Sequence, residues 1–213
     1  MKNEILKRIL SSLILIPIVF FFIIKGSTFF IVFLSITFFA TSYEWHQMSK
    51  NTSYYLPGII FLLISFLSAY LFRSTWHLYE FLLLIIICIF TDIGGYIFGK
   101  LFNGPKLTMI SPNKTYAGMF GGFMLAIIAY TVFVGNLDGI RYIHYNQIKP
   151  FDIFYVLIVS SISQLGDLTI SYFKRKSKIK NTSNLLPGHG GILDRIDGII
   201  FVLPIIYLFT ILN

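Results

Sequence analysis

Apolar residues fall into seven runs along the chain, at about 9–24, 27–43, 57–72, 78–98, 118–135, 151–170 and 196–212, parted by short polar segments. Each is roughly the ~17–25 residues that cross a bilayer, with two at or under the short end. None shows the alternation of a membrane barrel, and a backbone in hydrocarbon must satisfy its own hydrogen bonds, so the pattern predicts helix throughout. Only Lys25-Gly26 separates the first two runs, which predicts a tight helical hairpin, and Pro17 and Pro204 predict kinks. The fold class expected is all-α: a polytopic integral membrane helical protein with about seven transmembrane helices, range 6–9.

Composition agrees. The 213 residues are 56% hydrophobic and 12% charged, with a mean hydropathy of +0.78; about 25% charged is usual for a soluble domain. Lys2, Lys7 and Arg8 precede the first run as in a signal peptide, but Lys25-Gly26-Ser27-Thr28 follows it in place of a small-x-small cleavage site. That run is therefore expected to be a retained span. Cys88 is the single cysteine, which excludes an intrachain disulfide.

Charge sets the expected orientation. With the N-terminus inside, the inner segments carry Lys2, Lys7, Arg8, Lys50, Lys100, Lys106, Lys114, Lys174, Arg175, Lys176, Lys178, Lys180 and Arg195. The outer ones carry only Lys25, Arg73, Arg141 and Lys149. Basic residues favour the cytoplasmic side, so loops 99–117 and 171–195 are expected there. The net charge of +8 would suit nucleic acid, anionic lipid or phosphorylated substrates. Because the cations sit in loops between apolar runs, no nucleic-acid partner is expected.

Several charged groups stand where the membrane tolerates them poorly. Asp92 lies near the end of the fourth run, where a carboxylate needs a partner, a water-filled cavity or the hydrated interface. Gly95 with Gly99, and Gly118 with Gly122, form small-xxx-small pairs that let two helices pack closely around the loop between them. The same pairs would also suit a homodimer. Within the loop, Ser111-Pro112-Asn113-Lys114-Thr115 places hydroxyls and an ammonium just before a helix. That arrangement suits either a phosphate or a plain capping turn with a snorkelling lysine.

The longest polar stretch is Ser163–Gly198. Asp167, Ser171 and Arg175 are spaced i, i+4, i+8, which puts them on one helical face, with Lys174 beside them. Lys176, Lys178 and Lys180 extend the charge and would also suit anionic headgroups. Gly188, His189, Gly190 and Gly191 form a glycine-rich turn that a phosphate could approach closely. It opens into Asp194, Arg195 and Asp197, and carboxylates with neighbouring Lys and Arg are what a Mg²⁺–phosphate site requires. No zinc spacing, Walker A sequence or GxSxG elbow competes. His46 beside Trp45, and His77 beside Trp76, read as interface anchors.

These residues together resemble the phosphatidate cytidylyltransferases, or CDP-diacylglycerol synthases. The family signature, S-x-x-K-R-x4-K-D-x5-P-G-H-G-G-x-x-D-R-x-D after a G-D, is matched by Gly166-Asp167, Ser171, Lys174-Arg175, Lys180, Pro187 to Gly191, Asp194-Arg195 and Asp197. A second block, S-P-x-K-T-x-E-G, is similar to Ser111–Gly118, and the likeness covers roughly residues 88–200. In this chain the family's Glu is Ala117, and the Asp after the lysine is Asn181.

The resemblance implies transfer of a cytidylyl group from CTP to phosphatidate in the bilayer, with Mg²⁺ as cofactor. It implies catalytic roles for Asp167, Lys174, Arg175, Asp194, Arg195 and Asp197, with Asp167, Asp194 and Asp197 on the metal. Substrate contacts would come from Asp92, Ser111, Lys114, Thr115, Ser171, Lys180, Gly188, His189, Gly190 and Gly191. Residues 1–75 would anchor the chain and 76–213 would form the catalytic membrane domain. The alternatives are an inactive or altered-substrate relative that binds nucleotide or lipid phosphate, which Ala117 and Asn181 would permit, and a transporter that uses Asp92 and Asp167 as relay groups.

Overall fold

The computed structural model describes residues 2–75, 78–135, 149–186, 188 and 190–212, with side chains from Leu13 onward. Pro187 and His189, Trp76 with His77, and Arg141 and His144 lie outside the described residues. Among the described residues eight helices follow in order: α1 (Lys2–Lys25), α2 (Ser27–Ser49), α3 (Tyr55–Thr75), α4 (Leu78–Phe102), α5 (Tyr116–Gly135), α6 (Pro150–Lys176), α7 (Leu193–Ile196) and α8 (Ile199–Leu212). Among the described residues there is no strand, only isolated bridges between Lys106 and Thr115 and between Leu186 and Gly190. The chain is thus the polytopic all-α membrane protein that its apolar pattern predicts. Helices α2 to α6 are long and apolar enough to span a bilayer, while the apolar stretches of α1 and α8, Leu13–Lys25 and Ile199–Leu212, are shorter. The apolar runs understate α2 and α6, which continue through polar residues to Ser49 and Lys176.

The helices form two compact units: residues 1–78 with 173–213, and residues 79–172. In the first unit the expected hairpin is present. Gly26 (φ +64°) and Ser27 (φ +48°) take left-handed conformations between α1 and α2. The Arg73 guanidinium donates to the Ile23 carbonyl from Nε and Nη2, at 3.3 and 3.2 Å, and so satisfies an orphan acceptor at the end of α1.

At the opposite end of α2, Trp45 is only 4% exposed. It is a packing centre and not the interface anchor that its neighbour His46 suggested. Its Nε1–H donates to Tyr55 O at 3.0 Å, and its ring meets Phe173 edge-on at 5.2 Å. Ser177 donates to Met48 O at 2.8 Å, and Lys176 lies 4.6 Å from the Tyr54 ring centre. These contacts brace the end of α6 and the segment that follows it. His46 itself is exposed, with Nδ1 3.2 Å from the Tyr55 hydroxyl.

In the second unit, α4 and α5 approach backbone to backbone. A Cβ on Gly94 would stand 2.3 Å from Gly121 O, and one on Gly118 would stand 2.6 Å from Gly95 O. The glycine pairs are therefore used within the chain, between the two helices that flank loop 103–115. Helix α6 is tied to α4 by a buried hydrogen bond, Thr91 Oγ1 to Ser160 Oγ at 2.8 Å.

The close contact predicts a sharp contrast between neighbours. Gly94→Ala should lower the melting temperature in detergent by roughly 3–10 °C, since overpacking costs about 1–3 kcal/mol. Gly95→Ala should be nearly neutral, because its Cβ would meet nothing nearer than Gly118 O at 3.8 Å. Equal melting temperatures for the two variants would contradict this packing.

Candidate active site

In the second unit, the turn before α5 is closed by its own backbone. Leu107 N–H donates to Lys114 O at 2.7 Å, Lys114 N–H to Ser111 O at 3.0 Å and Tyr116 N–H to Pro105 O at 3.1 Å. Thr115 caps α5: its hydroxyl oxygen accepts the Gly118 N–H at 3.1 Å. Of the two readings of Ser111–Thr115, Thr115 thus serves as a cap, and Lys114 is directed at a carboxylate. Its ammonium pairs with Asp167 Oδ2 on α6, with the two side chains 27% and 25% exposed. Ser171, one turn on, donates to Asp167 Oδ1 at 3.3 Å, so two members of the predicted helical face meet. Arg175, the third, is exposed and donates to Ile179 O at 3.3 Å. Asp92 is exposed on α4.

The first unit holds the remainder of the signature. Leu186 and Gly190 exchange backbone hydrogen bonds at 2.8 and 3.1 Å, closing a turn in which Gly188 (φ +76°) and Gly190 (φ +91°) take conformations that disfavour side chains. The Gly191 N–H donates to Asp194 Oδ2 at 3.1 Å. The amides of Gly190 and Gly191 are thus used inside the turn, and these glycines shape it. Asp194 also accepts from Thr182 N–H at 2.9 Å, and its Oδ1 pairs with Lys174 Nζ at 2.7 Å. Lys174 and Asp194 are 11% and 7% exposed. Asp197 is buried, and its Oδ1 accepts the Gly198 N–H at 3.0 Å. Arg195 and Lys180 are exposed.

One residue at the centre of this unit carried no sequence prediction. Glu44 on α2 is fully buried and accepts four hydrogen bonds. It stands one position beyond the 27–43 apolar run, although α2 continues to Ser49. The signal was in the spacing: Thr41, Glu44, Trp45, Met48 and Ser49 form one buried helical stripe that carries α2 past the run.

Electrostatics fix the state of Asp194, which lies outside the long apolar helices. Burial alone would raise its carboxyl above the ordinary value. The Lys174 hydrogen bond, the Thr182 N–H, the Lys174 charge and the Gly191 N–H outweigh that effect and hold it low. Asp194 is therefore ionised at neutral pH, with both oxygens engaged. Asp167 is less committed, with one ammonium and one long hydroxyl contact. Among the described residues, no three His, Cys, Asp or Glu side chains gather as a metal-binding group. Mg²⁺ commonly takes only one or two carboxylates and completes its shell with water and substrate phosphates. Asp167 fits that requirement.

A helical membrane protein whose α6 carries one half of each of two carboxylate–ammonium pairs, Lys114 with Asp167 and Lys174 with Asp194, is equipped to handle phosphate charge. The Cytidylyltransferase family model matches residues 6–81 and 59–212, and the chain belongs to that family. It is 35% identical to the phosphatidate cytidylyltransferase of Rickettsia bellii, over 97% of this chain and 90% of that protein. It is 34% identical to the enzyme of the same name from Rickettsia felis, over 99% and 94%. A Staphylococcus epidermidis protein of that name is 36% identical over 84% of this chain and 68% of its own length.

Because the Asp194 carboxyl is held low, its contribution to stability is complete above the ordinary value of 3.8 and is lost as pH falls through the folded value. Asp194→Asn should therefore melt below the parent by a constant margin from neutral pH to about pH 5, and that margin should narrow below about pH 4. A margin that stays constant down to pH 3 in parallel detergent melts would contradict the assignment.

Proposed function

We propose that this chain transfers a cytidylyl group from CTP to phosphatidate, yielding CDP-diacylglycerol and pyrophosphate for phospholipid synthesis. The observation that carries this reading is the likeness to phosphatidate cytidylyltransferases over 84–99% of the chain. The ion pairs on the signature, Lys114 with Asp167 and Lys174 with Asp194, support it.

In the reaction, an oxygen of the phosphatidate phosphate attacks the α-phosphorus of CTP, the α–β phosphoanhydride bond breaks, and pyrophosphate leaves. The nucleophile is anionic at neutral pH, so no strong base is required. The protein must position two polyanions and offset their charge. Lys114, Lys174, Arg175, Arg195 and Lys180 supply cations for that work, and Ser171 supplies a hydroxyl donor. Mg²⁺, when bound, would neutralise phosphate charge, and Asp167, engaged by one ammonium and one long hydroxyl contact, is the carboxylate with room to hold it. Both oxygens of Asp194 are already engaged, one of them by Lys174. The transfer takes place at the cytoplasmic face of the bacterial inner membrane, where soluble CTP meets an embedded lipid headgroup. The thirteen-to-four distribution of Lys and Arg supports this orientation.

The test is incubation of the detergent-purified protein with phosphatidate, labelled CTP and Mg²⁺, followed by lipid extraction. Labelled CDP-diacylglycerol is expected from the parent chain, with a loss of at least about a hundredfold for Asp167→Asn. Binding of CTP without any labelled lipid, across lipid and salt conditions, would overturn the enzyme reading in favour of a binding relative. Full activity of Asp167→Asn would overturn the metal assignment alone.

A further inference from the structure

Four donors converge on the fully buried carboxylate of Glu44, all from the signature segment far along the chain. Oε1 accepts from Ser183 Oγ at 2.6 Å and Ile192 N–H at 2.8 Å. Oε2 accepts from Thr182 Oγ1 at 2.9 Å and Leu193 N–H at 2.7 Å. A carboxylate so saturated has no lone pair directed at a substrate, and burial keeps it from one. The fit is close: a Cβ on Gly191 would lie 2.7 Å from both Glu44 oxygens and 1.9 Å from Thr182 Oγ1.

Thr182 connects this carboxylate to the second one. Its hydroxyl lies 2.9 Å from Glu44 Oε2 and 3.1 Å from Asp194 Oδ2, and with one proton it can donate to only one of them. The shorter contact assigns that proton to Glu44, while the Thr182 backbone N–H serves Asp194 at 2.9 Å. Asp194 in turn holds the Lys174 ammonium. A continuous path of hydrogen bonds therefore runs from Glu44 through Thr182 and Asp194 to Lys174.

We propose that Glu44 is a positioning residue: from α2 it locks segment 182–193, and through Thr182 and Asp194 it sets where the Lys174 ammonium stands. Glu44 touches neither metal nor substrate. The consequence for turnover rests on the transferase reading above; the lock on the segment does not.

The test combines activity with amide exchange on the full-length protein in detergent. Glu44→Gln keeps the size but replaces one acceptor oxygen with a donor that faces donors. Exchange of the peptide covering 182–193 should accelerate by about tenfold or more, while peptides from α3 keep the parent rate. With CTP and phosphatidate, kcat should fall by about 10–100-fold, the scale of outer-shell losses, with a smaller change in KM for CTP. Thr182→Val should show the same kcat loss, and Thr182→Ser, which keeps the hydroxyl, should restore most of it. Unchanged exchange in Glu44→Gln would overturn the lock. Equal kcat for Thr182→Ser and Thr182→Val would overturn the path to Lys174. If the parent forms no lipid product, the transferase reading fails and the exchange result decides the lock alone.

Discussion

A loop that turns back into the body of a membrane protein must satisfy every backbone donor it buries. The signature segment of this chain meets that constraint with carboxylates in place of secondary structure. Glu44 takes the amides of Ile192 and Leu193, and Asp194 takes those of Thr182 and Gly191. Hydrogen bonds to charged groups are worth about 1.5–3 kcal/mol each, more than neutral ones. They hold in place a segment that leads into α7, a helix of four residues. The glycines follow from the same constraint. Gly191 has no space for a side chain because two carboxylate oxygens and a hydroxyl occupy it, and Gly190 and Gly188 supply the turn that returns the chain to α7.

The ion pairs have a related logic. An ammonium beside a buried carboxylate offsets much of the desolvation cost that either group alone would carry. Lys174 and Asp194 do this at 11% and 7% exposure, and Lys114 and Asp167 at roughly a quarter. The pairs differ in how fully the carboxylate is engaged: Asp194 is held by an ammonium and two backbone N–H groups, and Asp167 by an ammonium and one long hydroxyl contact. The departures Ala117 and Asn181 fall outside both pairs. Ala117 leaves the first turn of α5 without an acidic residue, with Thr115 to cap it. Asn181 lies beside Gly190, near Asp194, where an amide avoids placing a second negative charge next to the first.

Much of the fold could be read from the sequence because it follows from one rule, that a backbone in hydrocarbon satisfies itself as helix. The apolar runs therefore mapped onto α1 to α6 and α8, and the Lys25-Gly26 break onto a real hairpin. The glycine spacing located the close approach of α4 and α5, although Gly94, outside the spaced pairs, makes the tightest backbone contact between them. The signature singled out Asp167, Lys174 and Asp194, which the structure places in ion pairs. What was not legible were the relations between distant segments. Nothing local to Glu44 announces donors nearly a hundred and fifty positions away. The turn glycines suggested amides offered outward, whereas those of Gly190 and Gly191 face inward. Trp45 suggested an interface residue because its tertiary partners, Tyr55 and Phe173, are invisible in its own neighbourhood.

Glu44 and Asp194 hold residues 182–193 as one hydrogen-bonded frame. A double-mutant cycle in detergent unfolding tests it most directly, with Glu44→Gln, Asp194→Asn and the two combined. The combined loss of stability should fall short of the sum of the single losses by at least about 1 kcal/mol, as for residues in one hydrogen-bonded network. Losses that add to within about 0.3–0.5 kcal/mol would mean that the two carboxylates act independently, and would contradict it.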